Sequence, residues 1–170
     1  MRNPWRSFCW LAAALLIAGA GSAAGSSHRL LGQPAPDFAL KATSGTNFRL
    51  SEHRGDVVML AFWGSRCGQC AAQLIAISRL VDTYRSAGLA ALAVNVDDNQ
   101  LAAAEFALRH PVSYPVLLDP DKAVARAYRV DNLPMLMLID RAGTVRHVHR
   151  DHRSGDEKDW LERIRHLLDE

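Results

Sequence analysis

The sequence predicts an α/β fold in which one central sheet carries helices on both faces. Near-continuous apolar segments at residues 57–63, 89–96 and 135–139 have the length and composition of strands that are covered on both sides. Stretches with the helical spacing of apolar residues follow the first two of these segments. Strands that alternate with helices in this way are typical of a sheet packed between two helical layers.

Size and composition fit one globular domain. The chain has 170 residues, of which 49% are hydrophobic and 22% are charged, which is enough apolar material for a core. The formal net charge is +2, and no run of like charges is long enough to indicate a surface for nucleic acid. We therefore expect no nucleic-acid partner, and we expect a monomer.

Residues 1–24 have the pattern of a secretory signal peptide. Arg2 and Arg6 precede an uncharged apolar run of about a dozen residues, and small residues end the segment. A helix needs about 18 to 20 apolar residues to span a bilayer, so export with cleavage is favoured over an uncleaved anchor. We expect cleavage after Ala24, with Ala20 as the alternative, and a periplasmic or other extracytoplasmic location. A short linker at 25–32 and one domain at 33–170 then follow.

The first half of that domain is predicted to contain a hairpin, a strand and a helix. Apolar residues alternate with polar ones on both sides of a turn at 44–46, which predicts a hairpin over 38–50. The strand at 57–63 is followed by a helix that starts at Gln69 and ends before Gly88.

The second half continues the alternation of strands and helices. Strands are expected at 89–96, 116–118, 135–139 and 145–149, and helices at about 100–110, 122–128 and 157–168. Asp97, Asp98 and Asn99 are placed to cap the first of these helices, and Pro111 ends it. In the last helix, Trp160 lies on the apolar face.

Cys67 and Cys70 are the one close pair among three cysteines, because Cys9 lies in the predicted signal peptide. At the start of a helix, unpaired backbone N–H groups favour a thiolate, and the neighbouring Arg66 adds a cation, so both should lower the pKa of Cys67. We expect Cys67 to be the nucleophile and Cys70, one turn on, to be the resolving thiol. Gly68 and Gln69 lie between them, allow close approach and tune the balance of dithiol and disulfide.

A single CxxC motif also occurs in zinc sites, which need four ligands. Here the pair follows an apolar strand and begins an amphipathic helix, a context that favours redox exchange over metal binding. His147, His149 and His152 could hold a metal, but a solvated strand end is the favoured interpretation. We expect no metal and no organic cofactor, only the redox-active disulfide.

Three motifs resemble the TlpA/ResA-like thiol-disulfide oxidoreductases, exported thioredoxin-fold proteins that include factors of cytochrome c maturation. The motifs are QPAPDF at 33–38, FWGSRCGQC at 62–70 and VDNLP at 130–134. The resemblance covers nearly all of residues 33–170. It implies a thioredoxin fold with a mixed central sheet, an added N-terminal hairpin and an inserted strand-helix element.

The same resemblance implies an activity and a set of site residues. The expected activity is reduction of disulfides in other proteins, with apocytochrome c as one substrate and a membrane thiol transporter as the expected electron donor. Pro134 is implied to be a cis-proline that faces the cysteines, which would leave the backbone of Leu133 exposed for an extended partner segment. Trp63 either shapes substrate docking or is buried beside the site.

Two positions depart from the family pattern. Arg66 stands where relatives usually have a tryptophan, and Gln73 stands where they usually have a glutamate. A glutamine can form hydrogen bonds but cannot titrate. Ala61 takes the position of the buried aspartate of cytosolic thioredoxins. We therefore expect weak activation of Cys70, without a steep carboxylate titration of its exchange rate between pH 5 and 8.

Two other functions are alternatives to disulfide exchange. A peroxiredoxin shares the layout and the PAPDF-like opening, but its reactive cysteine follows a proline-containing motif that is missing before Cys67. An exported copper chaperone of related fold would use two cysteines with three intervening residues, whereas Cys67 and Cys70 have two. Protein thiol-disulfide exchange is the favoured function.

Overall fold

A computed structural model describes residues 28–170, and the predicted signal peptide lies outside them. The strands are β1 (Ala39–Lys41), β2 (Asn47–Arg49), β3 (Val57–Trp63), β4 (Leu89–Asn95), β5 (Val116–Leu118), β6 (Met135–Ile139) and β7 (Val145–Arg150). The helices are α1 (Cys70–Tyr84), α2 (Gln100–Arg109), α3 (Ala123–Ala127) and α4 (Asp156–Asp169). These bounds confirm the predicted order of elements.

Five strands form one mixed sheet in the order β5-β4-β3-β6-β7. β3, β4 and β5 run parallel, whereas β6 is antiparallel to β3 and β7 is antiparallel to β6. The hairpin β1-β2 is a separate two-stranded sheet that joins the edge of the main sheet, where Thr43 donates its N–H to the carbonyl of Val116 at 2.8 Å. The sheet is thus the mixed sheet of a thioredoxin-like fold.

The central strand β3 is buried on both faces, which explains its apolar sequence. Met59 and Trp63 belong to the core beneath α1, α2 and α4, whereas Leu60 and Phe62 belong to the core beneath α3 and the N-terminal segment. Met135 and Met137 lie fully buried in the second core, as their alternation in an apolar strand predicts. The expectation of helices on both faces is confirmed.

Several local predictions were wrong at the ends of elements. Leu50 does not extend β2 but is buried as the first residue of a 3-10 turn, Leu50–His53. α1 begins at Cys70, one residue later than predicted. The cap of α2 is Asn99 alone, whose Oδ1 accepts the N–H groups of Leu101 and Ala102.

Part of the segment expected as a linker contacts the sheet. Gly32 donates its N–H to the carbonyl of Val145 at 2.7 Å, and Val145 donates in turn to Gln33 at 2.9 Å. Residues from Gly32 onward therefore pair with the start of β7. Within residues 28–170, no helix is long and apolar enough to cross a membrane.

Of the three histidines of β7 and the following loop, one is buried and the other two, His147 and His149, are half-buried, whereas the favoured sequence interpretation was a solvated strand end. His152 is 5% exposed and its ring lies 5.2 Å from that of Trp160. His149 lies 6.1 Å from the same indole, and burial lowers the pKa of His149 to about 4. Among the residues described, no cluster of three or more His, Cys, Asp or Glu side chains could hold a metal ion.

Burial of neutral His149 makes the stability depend on pH. Its pKa is lower in the folded protein than the usual value near 6.5, so the unfolded chain binds the proton more tightly. We expect the free energy of unfolding to fall by about 2 kcal/mol from pH 7 to pH 5 through this side chain. Denaturant titration at both pH values measures the loss. His149→Gln should flatten the dependence, whereas the exposed control His166→Gln should retain it; equal slopes in both variants would contradict the prediction.

Candidate active site

The two cysteines of the CxxC motif form a disulfide at the point where β3 passes into α1. Their Cα atoms are 5.4 Å apart. Cys70 is the first residue of α1 and is fully buried, whereas Cys67 is partly exposed. An incoming thiol or disulfide can therefore reach the sulfur of Cys67 but not that of Cys70.

Cys67 precedes the helix instead of lying in its first turn. The loop is held by two turn hydrogen bonds, from the N–H of Cys67 to Gly64 (3.1 Å) and from the N–H of Cys70 to Cys67 (3.2 Å). α1 has no side-chain cap and no acidic residue in its first turn. The partial positive charge of the helix N-terminus is thus left beside the disulfide, where it favours a thiolate.

Asp97 organises the loop before the disulfide, a role that sequence reasoning missed. Its Oδ2 accepts the backbone N–H of Ser65 at 2.8 Å and the side-chain amide of Asn95 at 2.8 Å. Asn95 is buried at the end of β4, so Asp97 joins that strand to the loop that carries Cys67. The position of Asp97 just after a parallel strand was the available signal, but it was attributed to helix capping.

Gly64 is the glycine that this arrangement requires. A Cβ atom at Gly64 would lie 3.2 Å from Oδ1 of Asp97 and 3.2 Å from the Leu133 side chain, closer than a side chain normally approaches. At Gly68, by contrast, a Cβ atom would meet nothing within 4 Å. Gly64 therefore lets the redox loop pack closely, while Gly68 leaves open space in front of the disulfide.

The second wall of the site is the segment before β6. The Leu133-Pro134 peptide bond is cis, as the resemblance implied. The Leu133 N–H is held by Oδ1 of Asn132 at 2.9 Å, in a hydrogen bond that lies at the exposed surface. A partner strand that pairs with this N–H must first displace the Asn132 side chain.

Gln69 connects the redox motif to the loop between β7 and α4. Its Oε1 accepts the backbone N–H of His152 at 3.3 Å. One residue earlier, Asp151 donates its backbone N–H to the carbonyl of Pro134 at 2.9 Å. The same loop therefore holds both the cis-proline segment and the middle of the CxxC motif.

Gln73 and Trp63 lie behind the disulfide rather than in front of it. Both are fully buried. Trp63 packs on Phe106, with ring centroids 4.8 Å apart, so of its two predicted roles the structure shows burial. Both polar atoms of the Gln73 amide lack a hydrogen-bond partner within residues 28–170. An unpaired buried amide beside Cys70 costs stability, and its N–H group is available to a thiolate.

An open groove of about 750 Å³ lies in front of the disulfide. It is bordered by the redox loop with Arg66 and Cys67, the end of β4 with Asp97, helix α3 with Arg126, and Leu133. Cys67 is one of the residues that line the groove, so a partner that enters the groove reaches this partly exposed cysteine.

A buried and an exposed cysteine joined at the start of a helix, opposite a cis-proline on a mixed sheet, define a thioredoxin-fold thiol-disulfide exchange site. A family model described as the AhpC/TSA family matches residues 31–148. The thiol-disulfide oxidoreductase ResA of Geobacillus kaustophilus is 37% identical over 118 residues, which cover 69% of this chain and 68% of that protein. ResA of Bacillus subtilis is 36% identical over 114 residues, covering 67% and 64% of the two chains.

A solved structure agrees with these relatives. The crystal structure of a Chlorobium tepidum protein assigned as the thiol:disulfide interchange protein DsbE superposes with a TM-score of 0.78 at 34% identity, covering 81% of this chain and 97% of that one. The chain belongs to the ResA-like thiol-disulfide oxidoreductases of the AhpC/TSA family. Of the three candidate functions, thiol-disulfide exchange is the one for which these relatives are named.

Proposed function

We propose that the chain is exported and that it reduces disulfide bonds of other proteins in an extracytoplasmic compartment, with apocytochrome c among its substrates. The observation that carries this proposal is the asymmetry of the disulfide, with Cys67 facing an open groove and Cys70 enclosed. The sulfur of Cys67 is accessible to a large partner, whereas the sulfur of Cys70 reacts only in the second, intramolecular step.

Reduction proceeds by two exchange steps. In the dithiol form, the Cys67 thiolate attacks one sulfur of the substrate disulfide, forms a mixed disulfide and releases the other substrate sulfur as a thiolate, which takes up a proton. Cys70 then gives up its proton, its thiolate attacks the sulfur of Cys67, and the second substrate sulfur leaves as a thiolate that takes up a proton. The substrate gains two electrons and the chain returns to the Cys67-Cys70 disulfide.

The dithiol must be regenerated by another protein. We propose a membrane thiol transporter as this donor, since the sequence has neither a G-x-G-x-x-G motif nor a P-loop for an organic cofactor. Trp63, Arg66, Gly68, Gln69, Gln73, Leu133 and Pro134 are the proposed supporting residues of the site. Of these, Trp63 and Gln73 act from the buried side, and the others border the redox loop or the cis-proline.

The direction of exchange is tested by equilibrating the protein with glutathione buffers and measuring the fraction of dithiol. A reductant should have a potential nearer to about −270 mV, as in thioredoxin, than to about −120 mV, as in DsbA. A potential near about −120 mV would instead show that the protein is an oxidant. Reduction of a disulfide-bonded apocytochrome c peptide with a CxxCH motif then tests the substrate.

Export requires a separate measurement. The full chain, tagged at its C-terminus, should be found outside the cytoplasm, and N-terminal sequencing should begin at Gly25. Recovery of an intact N-terminus from the membrane fraction would instead support an uncleaved anchor, and recovery from the cytoplasm would contradict export.

A further inference from the structure

The groove in front of Cys67 carries acidic side chains that are already engaged by partners within the protein. Asp97 accepts the N–H of Ser65. Asp98 forms an ion pair with Lys122 at 2.9 Å. Asp131 forms one with Arg150 at 3.2 Å. Each carboxylate that borders the groove thus has a hydrogen-bond donor or a cation of its own.

Two basic side chains of the groove lack such a partner. Arg66 is exposed beside Cys67 and forms no hydrogen bond or ion pair in the part of the chain that the structure describes. Arg126 on α3 is also exposed, and its Nη1 donates at 2.7 Å only to the backbone carbonyl of Asp121. The charged side chains of the groove that no other side chain engages are therefore two guanidinium groups, whereas the Asp97 carboxylate is held by neutral N–H donors and Asp98 and Asp131 are paired with cations.

We propose that this groove selects, among protein disulfides, those that carry an aspartate or glutamate within two residues of the attacked cysteine. The inference rests on the proposed function and adds a substrate class to it. A guanidinium group presents several N–H donors in a plane and binds a carboxylate by two parallel hydrogen bonds. Arg66 is adjacent to Cys67, so its carboxylate partner must lie close to the substrate cysteine, and Arg126, which lines the same groove, adds a second positive charge that attracts the same carboxylate.

The test uses three peptides that differ only at the residue beside their single cysteine, which is Asp, Asn or Lys. Each peptide carries 5-thio-2-nitrobenzoate as a mixed disulfide, because this low-pKa leaving group directs attack to the peptide sulfur and its release is coloured. The rate with the reduced protein is divided by the rate with dithiothreitol, which removes the intrinsic reactivity of each peptide.

We expect the normalised rate for the Asp peptide to exceed that for the Asn peptide about threefold at low salt, and the Lys peptide to be slower than both. The ratio should approach one at about 0.5 M salt. Arg66→Gln and Arg126→Gln should each lower the Asp-to-Asn ratio. Arg79→Gln, which removes an exposed arginine of α1 outside the groove, should leave it unchanged.

Equal normalised rates for the three peptides, or an Asp-to-Asn ratio that survives both groove substitutions, would overturn the proposed selectivity while leaving disulfide exchange intact. Failure of the reduced protein to react with any of the peptides would instead contradict the proposed function. The ratio, unlike the absolute rate, is insensitive to any loss of Cys67 reactivity that removal of Arg66 causes.

Discussion

Replacing Cys70 with alanine is expected to reduce steady-state turnover of a protein disulfide by at least about a thousandfold while leaving the first attack by Cys67 intact. The buried Cys70 is the group placed to attack the mixed disulfide, because the two sulfurs are already within bonding reach. Without it, the substrate stays attached to Cys67. Turnover assays and intact mass measurement of the covalent adduct check the two parts of this prediction.

The matched control is Cys67→Ala, which leaves the buried Cys70 as the one cysteine among residues 28–170. This variant should form no adduct, since Cys70 is inaccessible in the folded protein. Mass spectrometry of the species trapped by Cys70→Ala in cells also identifies the natural substrate. Turnover that persists in the Cys70 variant, or adduct formation on Cys70 in the Cys67 variant, would exclude the assigned order of attack.

Gln73→Glu is expected to destabilise the folded protein strongly. Gln73 is fully buried without a hydrogen-bond partner in the described chain, so a carboxyl group at this position would have a strongly raised pKa. In the unfolded chain this carboxyl group ionises near pH 4.3, whereas in the folded protein it ionises only at a much higher pH. The destabilisation therefore grows with pH and reaches about 4 kcal/mol at pH 8. Urea unfolding at pH 5 and pH 8 measures the difference.

The same variant should also change the exchange reaction. A titratable group beside Cys70 can hold or supply a proton, so the exchange rate of Gln73→Glu should acquire a carboxylate-type dependence between pH 5 and 8, which we do not expect for the natural chain. Gln73→Met is the control, since it removes the unpaired amide without adding a charge. We expect it to raise the free energy of unfolding by about 1 kcal/mol; a loss of stability would show that the amide has a partner.

The sheet and its helices could be predicted because their sequence patterns have local physical causes. The strand at 57–63 is apolar throughout because both of its faces are covered, and α1 is indicated by apolar residues at helical spacing before Gly88. Gly88 ends that segment in a left-handed conformation, with φ of 93°, as its position predicts. These properties depend on neighbours in sequence and on burial alone.

The site was predictable only where a motif carries it. The CxxC pair and the proline at 134 were found by spacing and by resemblance, and the structure brings them to one end of the sheet. Asp97 was misinterpreted because an aspartate after a strand can either cap the next helix or accept a backbone N–H from a distant part of the chain. The sequence does not distinguish these two roles. Its partner Ser65 is 32 residues earlier in the chain, and only the pairing of β3 with β4 brings the two together.

The histidines that pack against α4 from β7 and the following loop were the least predictable part. Alternation along β7 correctly places His147 and His149 in a strand, but it does not show that α4 covers them. His152 follows the strand and is enclosed against Trp160, a contact between residues eight positions apart that arises from the path of the loop. Such contacts depend on the packing angle of a helix, which the periodicity of its sequence does not specify.

The enclosure of Cys70 has a consequence for how electrons pass through the molecule. Because Cys67 alone is accessible, the upstream donor and the downstream acceptor must use the same sulfur and the same opening in turn. The two partners therefore compete for one entrance and never occupy the protein together. Steady-state kinetics should consequently show the parallel double-reciprocal lines of a ping-pong scheme, and an excess of either partner should inhibit the other.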